Sequence, residues 1–261
     1  MSIFYAILLG IVQGITEFLP VSSSGHLVLI QHYLPGFSQP GAFFDAILHF
    51  GTFIAVLIVF WKDIWEVMKA FFTWDKENPY FLMAWLIILG TIPAGLIGVL
   101  WKDQIELMFN STASLSAGWL FTGILLILSD YYRKENKEMK DITWFNAIVI
   151  GVFQALALVP GVSRSGSTIS VGLLSRLKGD LAAKFSFLLF VPAVGGAVIL
   201  QTRHIEQVPK GDILTYIVAG AVALLVGIVS IKFLLRLISK KQLKYFGIYC
   251  LLLSLLAYLL V

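Results

Sequence analysis

Charge is what this sequence has least of: 13% of its 261 residues are Asp, Glu, Lys or Arg, against roughly a quarter in an ordinary soluble domain. So few charges would leave a water-soluble monomer covered by apolar patch. With 59% hydrophobic and 14% aromatic residues, the bilayer is the natural solvent. Cysteine is nearly absent: Cys250 stands alone in an apolar helix, with no partner for a disulfide or a thiolate metal cluster, and reads as packing. No His/Cys cluster suggests zinc. A net charge of +4, spread between hydrophobic segments, excludes a nucleic-acid partner. No Lys or Arg precedes the first apolar run and no small-residue cleavage pattern follows it, so the N-terminus is expected to be mature structure rather than a signal peptide.

What is present is apolar length. About 20 helical residues cross a hydrocarbon core of about 30 Å, and six stretches qualify: Phe43 to Trp61, Tyr80 to Trp101, Leu115 to Tyr131, Phe185 to Leu200, Ile213 to Leu235 and Tyr245 to Val261. Trp61, Trp101, Tyr131 and Tyr245 stand at their ends, where amphipathic rings suit the headgroup region. Pro93 and Pro192 lie inside two of them and are expected to kink them.

Two further apolar segments, residues 3 to 30 and 145 to 175, are interrupted by polar residues, Gly and Pro: VQGITEFLPVSSSGH (Val12 to His26) and FQALALVPGVSRSGST (Phe153 to Thr168). Interrupted backbone is tolerated at membrane depth only where protein or a water-filled cavity satisfies the freed N–H and C=O groups. Each segment is therefore expected to be a re-entrant pair of short helices with the polar stretch at the turn. The segments are also copies of one another. At an offset of 141 residues Gly10 matches Gly151, Gln13 matches Gln154, Ser22 matches Ser163, Ser24 matches Ser165, Gly25 matches Gly166, and further on Phe44 matches Phe185 and Leu48 matches Leu189. Three spans separate the copies, so the second enters from the opposite face. The expected fold is an all-α polytopic membrane protein of about six transmembrane helices and two re-entrant pairs, with inverted repeats at about 1–131 and 142–261, a connecting loop at 132–141, and a site where the two polar turns meet near the midplane.

Charge placement agrees. If the loops Lys62 to Pro79, Tyr132 to Asp141 and Arg236 to Lys244 and the linker Arg176 to Lys184 share one side, that side holds fourteen of the nineteen basic residues. Lys102, Arg203 and Lys210 fall on the other, leaving Arg164 and Lys232 within segments. The basic side is then cytoplasmic.

Chemistry belongs to the polar residues that a membrane ought to exclude: Glu17, His26 and Arg164. Arg164 offers a planar fork of donors suited to phosphate. Ser163, Ser165 and Thr168 add donors, and Gly25, Gly161 and Gly166 allow close backbone approach. Gln13 and Glu17, four apart, share a helix face. Together they offer oxygen ligands for a hard divalent cation, Mg²⁺ or Ca²⁺, although for Glu17 an ion pair with Arg164 is the structural alternative. His26 can act as acid, base or nucleophile. Asp45 and His49, also four apart, are expected to cap or pair locally, with a role lining the cavity as the alternative. His32 and His204 read as solvated interfacial residues, and Arg133 to Asp141, which mixes signs, as a cytoplasmic loop.

The two motifs resemble the signatures of the undecaprenyl-diphosphate phosphatase (bacitracin-resistance) family of integral membrane phosphatases. The resemblance implies hydrolysis of undecaprenyl diphosphate to the monophosphate carrier of cell-wall synthesis, and a divalent-cation requirement. It also implies residence in the bacterial inner membrane, with the site opening to the extracytoplasmic side. Carried over by motif, Gln13 and Glu17 occupy the family's Glu/Gln-x-x-x-Glu pattern, Ser23 and His26 the reactive positions of the Ser-rich turn where Ser22, Ser24 and Gly25 complete the substrate site, and Arg164 the phosphate-binding arginine beside Ser163, Ser165, Gly166 and Thr168. Ser23 and His26 both stand as nucleophile, with His26 or Glu17 as base for the serine. The expected partners are the lipid diphosphate and membrane lipid, with a homodimer left open. Inverted repeats with broken helices also characterise secondary transporters, so a transporter or lipid flippase is the alternative. The phosphatidic-acid phosphatase type fails because no histidine follows Arg164 until His204.

Overall fold

The described residues of the computed structural model are 2–35, 42–201 and 212–259. Among them are twelve α-helices: α1 (Ile3–Thr16), α2 (Ser23–Tyr33), α3 (Ala42–Val59), α4 (Trp61–Phe72), α5 (Pro79–Leu100), α6 (Lys102–Met108), α7 (Thr112–Tyr132), α8 (Trp144–Leu156), α9 (Arg164–Leu174), α10 (Gly179–Gln201), α11 (Ile213–Ser239) and α12 (Leu243–Leu259). The chain is an all-α polytopic membrane protein. α5, α7, α10 and α11 are long and apolar enough to cross a membrane, and α3 with α4 adds a fifth if that bent pair is one span. The expected span ending at Val261 is α12, 17 residues long to Leu259. Pro93 and Pro192 lie inside the continuous helices α5 and α10.

Three expectations change. The loop expected from Lys62 is mostly α4, which leaves α3 at 76°. Its Ile64, Val67, Met68, Phe71 and Phe72 line an apolar groove with α5 and α10, and Trp61, Trp65, Met68 and Phe72 form an exposed stripe at helical spacing. Both apolar sets demand a helix here. Secondly, the linker to Lys184 is shorter than expected, because α10 begins at Gly179. Lys184 Nζ lies 2.7 Å from Asp63 Oδ1, which also accepts from the Tyr80 hydroxyl at 2.7 Å, tying α4 to α5 and α10. Thirdly, Arg133, at the head of the expected Arg133 to Asp141 loop, is buried. It lies 3.5 Å from Asp130 and 3.3 Å from Glu135, and donates to the Ile238 carbonyl at 3.2 Å, locking the end of α7 to the end of α11. His32 sits in the last turn of α2; His204, Arg203 and Lys210 lie outside the described residues.

The packing positions two helix–turn–helix pairs against each other. α1 packs on α11, and α8 on α5. Glycine permits both approaches: a Cβ at Gly10 would fall 2.7 Å from the Ala219 carbonyl oxygen, and Gly151 lies against the backbone of Gly90. The turns at residues 17–22 and 157–163 are satisfied by neighbouring side chains, as interrupted backbone in an apolar medium requires. Trp119 Nε1 donates to the Val21 carbonyl at 2.9 Å, the Ser163 N–H to Thr122 Oγ1 at 3.0 Å and Ser165 Oγ to the Leu19 carbonyl at 3.4 Å. Cys250, buried as expected, sets its Sγ 3.6 Å from the Pro20 carbonyl.

Candidate active site

Glu17 follows the last turn of α1, and its carboxylate joins the N-termini of two helices. Arg164, the first residue of α9, donates from Nη2 to Glu17 Oε1 at 2.8 Å. Ser23, the first residue of α2, donates from Oγ to Oε2 at 2.6 Å. The positive ends of both helices suit an anion there. Gln13 Nε2 donates to the same Oε2 at 3.1 Å, as the one-turn spacing allows. Only 8% of Glu17 is exposed and none of Gln13, so desolvation makes these bonds strong and their loss costly.

The first turn is strained where it meets the second helix. Ser22, with φ at 68°, is in the left-handed region that disfavours side chains, yet its Oγ caps the Gly25 N–H at 3.3 Å. The Ser22 carbonyl can only accept, so the His26 Nδ1 at 2.7 Å carries the proton, and His26 Nε2 accepts from the Tyr249 hydroxyl at 2.8 Å. The ring stacks on Tyr249 and meets Trp119 edge-on. His26 thus spends its hydrogen bonds on the turn and on α12, while Ser23 turns to Glu17.

Two polar atoms in this cluster are buried without a hydrogen-bond partner: Gln13 Oε1, an acceptor, and Arg164 Nη1, a donor. The guanidinium is otherwise held by Phe190, whose ring centroid lies 4.1 Å from Cζ. A ligand offering both a negative oxygen and a cation would satisfy both atoms.

A family model described as bacitracin resistance protein BacA matches residues 6–256. The chain belongs to the BacA family. Relatives named undecaprenyl-diphosphatase include those of Syntrophotalea carbinolica, 42% identical over 251 residues covering 96% of this chain and 95% of that protein, and of Alkaliphilus metalliredigens, 41% identical over 261 residues covering 95% of each. One from Methanosphaera stadtmanae is 40% identical over 265 residues, 96% of this chain and 95% of that protein.

Within this BacA-family chain the structure brings Gln13, Glu17, Ser23 and Arg164 into one cluster. The other expected residues surround it in distinct ways. Ser163 Oγ caps the Gly166 N–H at 3.0 Å, and Ser165 Oγ lies 3.2 Å from Ser163 Oγ. Thr168 bonds to its own helix and to Ser186 at 2.6 Å. Ser24 lines a cavity of about 1060 Å³. Tyr249 was missed, and His49, expected to pair locally or to line the cavity, joins the cluster as well. His49 Nδ1 lies 3.0 Å from Gln13 Nε2 and 3.4 Å from Glu17 Oε2, and Tyr249 holds His26. An ionisable residue inside an apolar span was a signal for His49; Tyr249, 223 residues from its partner, gave none.

Among the described residues no three His, Cys, Asp or Glu cluster as a metal set. The donors that fit a cation are Glu17 and the unpartnered Gln13 Oε1. That is the pattern of a hard ion that takes few protein ligands and fills its shell from phosphate oxygens and water.

Proposed function

We propose that this chain hydrolyses undecaprenyl diphosphate to undecaprenyl phosphate and inorganic phosphate, with Ser23 as nucleophile and Glu17 as its base. The observation that carries the assignment of roles is the single carboxylate shared by Ser23 and Arg164. Ser23 Oγ bonds to the terminal phosphorus and its proton passes to Glu17 Oε2. The bond from that phosphorus to the bridging oxygen breaks, releasing undecaprenyl phosphate. Glu17 passes that proton to the departing phosphate oxygen; water then attacks the phosphoserine, its proton going to Glu17, which returns it to Ser23 Oγ as the Oγ–phosphorus bond breaks and phosphate departs. Arg164, through Nη1, stabilises charge on the phosphoryl oxygens throughout. A divalent cation, Mg²⁺ or Ca²⁺, would be held by Glu17 and Gln13 and would neutralise diphosphate charge. His26 keeps Ser22 in its strained conformation and so aims Ser23; with Nδ1 protonated and Nε2 taken by Tyr249, its lone pair is not free to attack.

The membrane arrangement is proposed with it: one integral domain of six crossings and two re-entrant pairs, built as inverted repeats over about 1–131 and 142–261. The matched starts of α2 and α9, 141 residues apart, and the matched packing of Gly10 and Gly151 support the repeat. The large cavity is lined by the end of α2 and by Phe109 to Thr112 at the start of α7, whereas the basic loops gather where α7 ends. By the positive-inside rule the cavity opens away from the cytoplasm of the bacterial inner membrane. A homodimer is a secondary proposal, which the mass of the detergent-solubilised particle would test. Phosphate release from undecaprenyl diphosphate by the purified protein, with no gradient present, tests the function: release is expected, and transport without release would replace it with the transporter reading.

A further inference from the structure

His49 takes no part in the reaction just described, yet it is where the buried cluster meets open space. Its ring lines the cavity of about 1060 Å³ together with Ser24, Gln31 and Asp45, and its side chain is 32% exposed while that of its neighbour Glu17 is 7% exposed. The Nδ1 edge faces inward to Gln13 Nε2 at 3.0 Å.

The hydrogen bonds around Gln13 constrain what His49 can be. The amide NH₂ has two donors, and two acceptors lie within reach, Glu17 Oε2 at 3.1 Å and His49 Nδ1 at 3.0 Å. Reversing the amide would set its oxygen against a carboxylate oxygen, two acceptors in contact. With the amide as placed, Nδ1 must accept, so the ring proton resides on Nε2. The residue 141 positions on is Phe190, which lies under the Arg164 guanidinium. The two equivalent positions therefore flank the two halves of the ion pair, and only the first carries hydrogen-bonding atoms.

We propose that His49 is a substrate-positioning residue: its Nδ1 holds the Gln13 amide so that Oε1 faces the reacting groups, and its Nε2–H donates to the diphosphate entering from the cavity. This rests on the phosphatase reading above and adds a residue and an entry route to it. Holding the amide affects turnover, and donating to the diphosphate affects affinity, so the two roles separate in kinetics.

The test is a double-substitution cycle in the purified full-length protein, with H49F and H49N each made alone and with Q13A. H49F is expected to lower kcat/KM about 30-fold, the scale of one buried hydrogen-bond group left unpaired. H49N, which keeps an acceptor near the Nδ1 position, is expected to recover most of kcat while KM stays raised. In the Q13A background, H49F is expected to change kcat by less than about threefold, because the group it acts through is gone. Equal kcat losses with and without Gln13, or a kcat/KM for H49F within about threefold of the unaltered protein, would overturn the proposal. If H49F is not monodisperse in detergent, the H49N pair carries the cycle: kcat recovered with KM raised, and no added kcat loss in Q13A, sustains it, and any other pattern overturns it. Normal turnover by E17Q would instead sink the underlying phosphatase mechanism, whereas an inactive E17Q beside an unaffected H49F removes only the role of His49.

Discussion

The two polar turns share a sequence register and differ in almost everything chemical. The first carries Gln13, Glu17, Ser23 and His26, with His49 behind it; the positions 141 residues on are Gln154, Leu158, Arg164, Ser167 and Phe190. One half holds a carboxylate, a hydroxyl and two imidazoles, and the other, beside the Ser167 hydroxyl, a single cation on an aromatic ring. The consequence is visible at Gln154, buried with both amide atoms unpartnered, because Leu158 and Phe190 stand where Gln13 finds Glu17 and His49. Backbone strain divides the same way: Ser22 has φ at 68°, whereas Ser163 has an ordinary φ of −80°. On the proposed inverted repeat, both halves keep their helix N-termini while the groups proposed to react lie in one.

The largest expected contrast is at Glu17 and Leu158. Glu17→Gln should lower phosphate release about 10³-fold, within the range for a lost general base, and should lower thermal stability by leaving Arg164 unpaired. Leu158→Met should leave turnover within about threefold of normal, since a volume-conserving apolar change costs little. Next come the glutamines. Gln13→Leu should cost about 10- to 100-fold in turnover, while Gln154→Leu should leave turnover intact and hold or raise the thermal midpoint, because it removes a buried unsatisfied amide. Loss of activity in Gln154→Leu would break the asymmetry.

Smaller effects probe the turns themselves. A Cβ at Gly25 would meet the Trp119 ring at 2.8 Å, whereas at Gly166 the nearest atom is Ser163 Cβ at 3.0 Å. Gly25→Ala should therefore cost about 1–3 kcal/mol as overpacking, and Gly166→Ala less, both read from thermal unfolding in detergent. Smallest is the strain. Ser22→Gly loses a cap but relieves a left-handed φ, and Ser163→Gly loses a cap with no relief, so the second should lower the midpoint further, by a few tenths of a kcal/mol in cap energy. The reverse order would remove strain from the comparison.

Much of this was legible in the sequence because a bilayer punishes polar residues that have no purpose. Glu17, Arg164 and His26 stood out on cost alone, and the repeated Ser-x-Ser-Gly located both turns. The proposed division of labour between Ser23 and His26 was not legible, since it depends on which partner each side chain reaches: Glu17 lies six residues from Ser23, but Tyr249 comes from the far end of the chain. Nor was α4, whose residues read as a charged loop until the break at Phe60 turned both apolar sets to use. Arg133 read only as the start of a loop because its partners, Asp130 and the Ile238 carbonyl, converge only when α7 and α11 end together.

The central claim is that Ser23, on Glu17, attacks phosphorus while His26 aims it. The direct test is the residue phosphorylated when the purified protein is quenched during turnover of undecaprenyl diphosphate and its peptides are examined by mass spectrometry at neutral pH. The account expects phosphate on Ser23, present in His26→Ala at reduced rate and absent in Ser23→Ala. Phosphate on His26, or turnover persisting in Ser23→Ala and lost in His26→Ala, would contradict it.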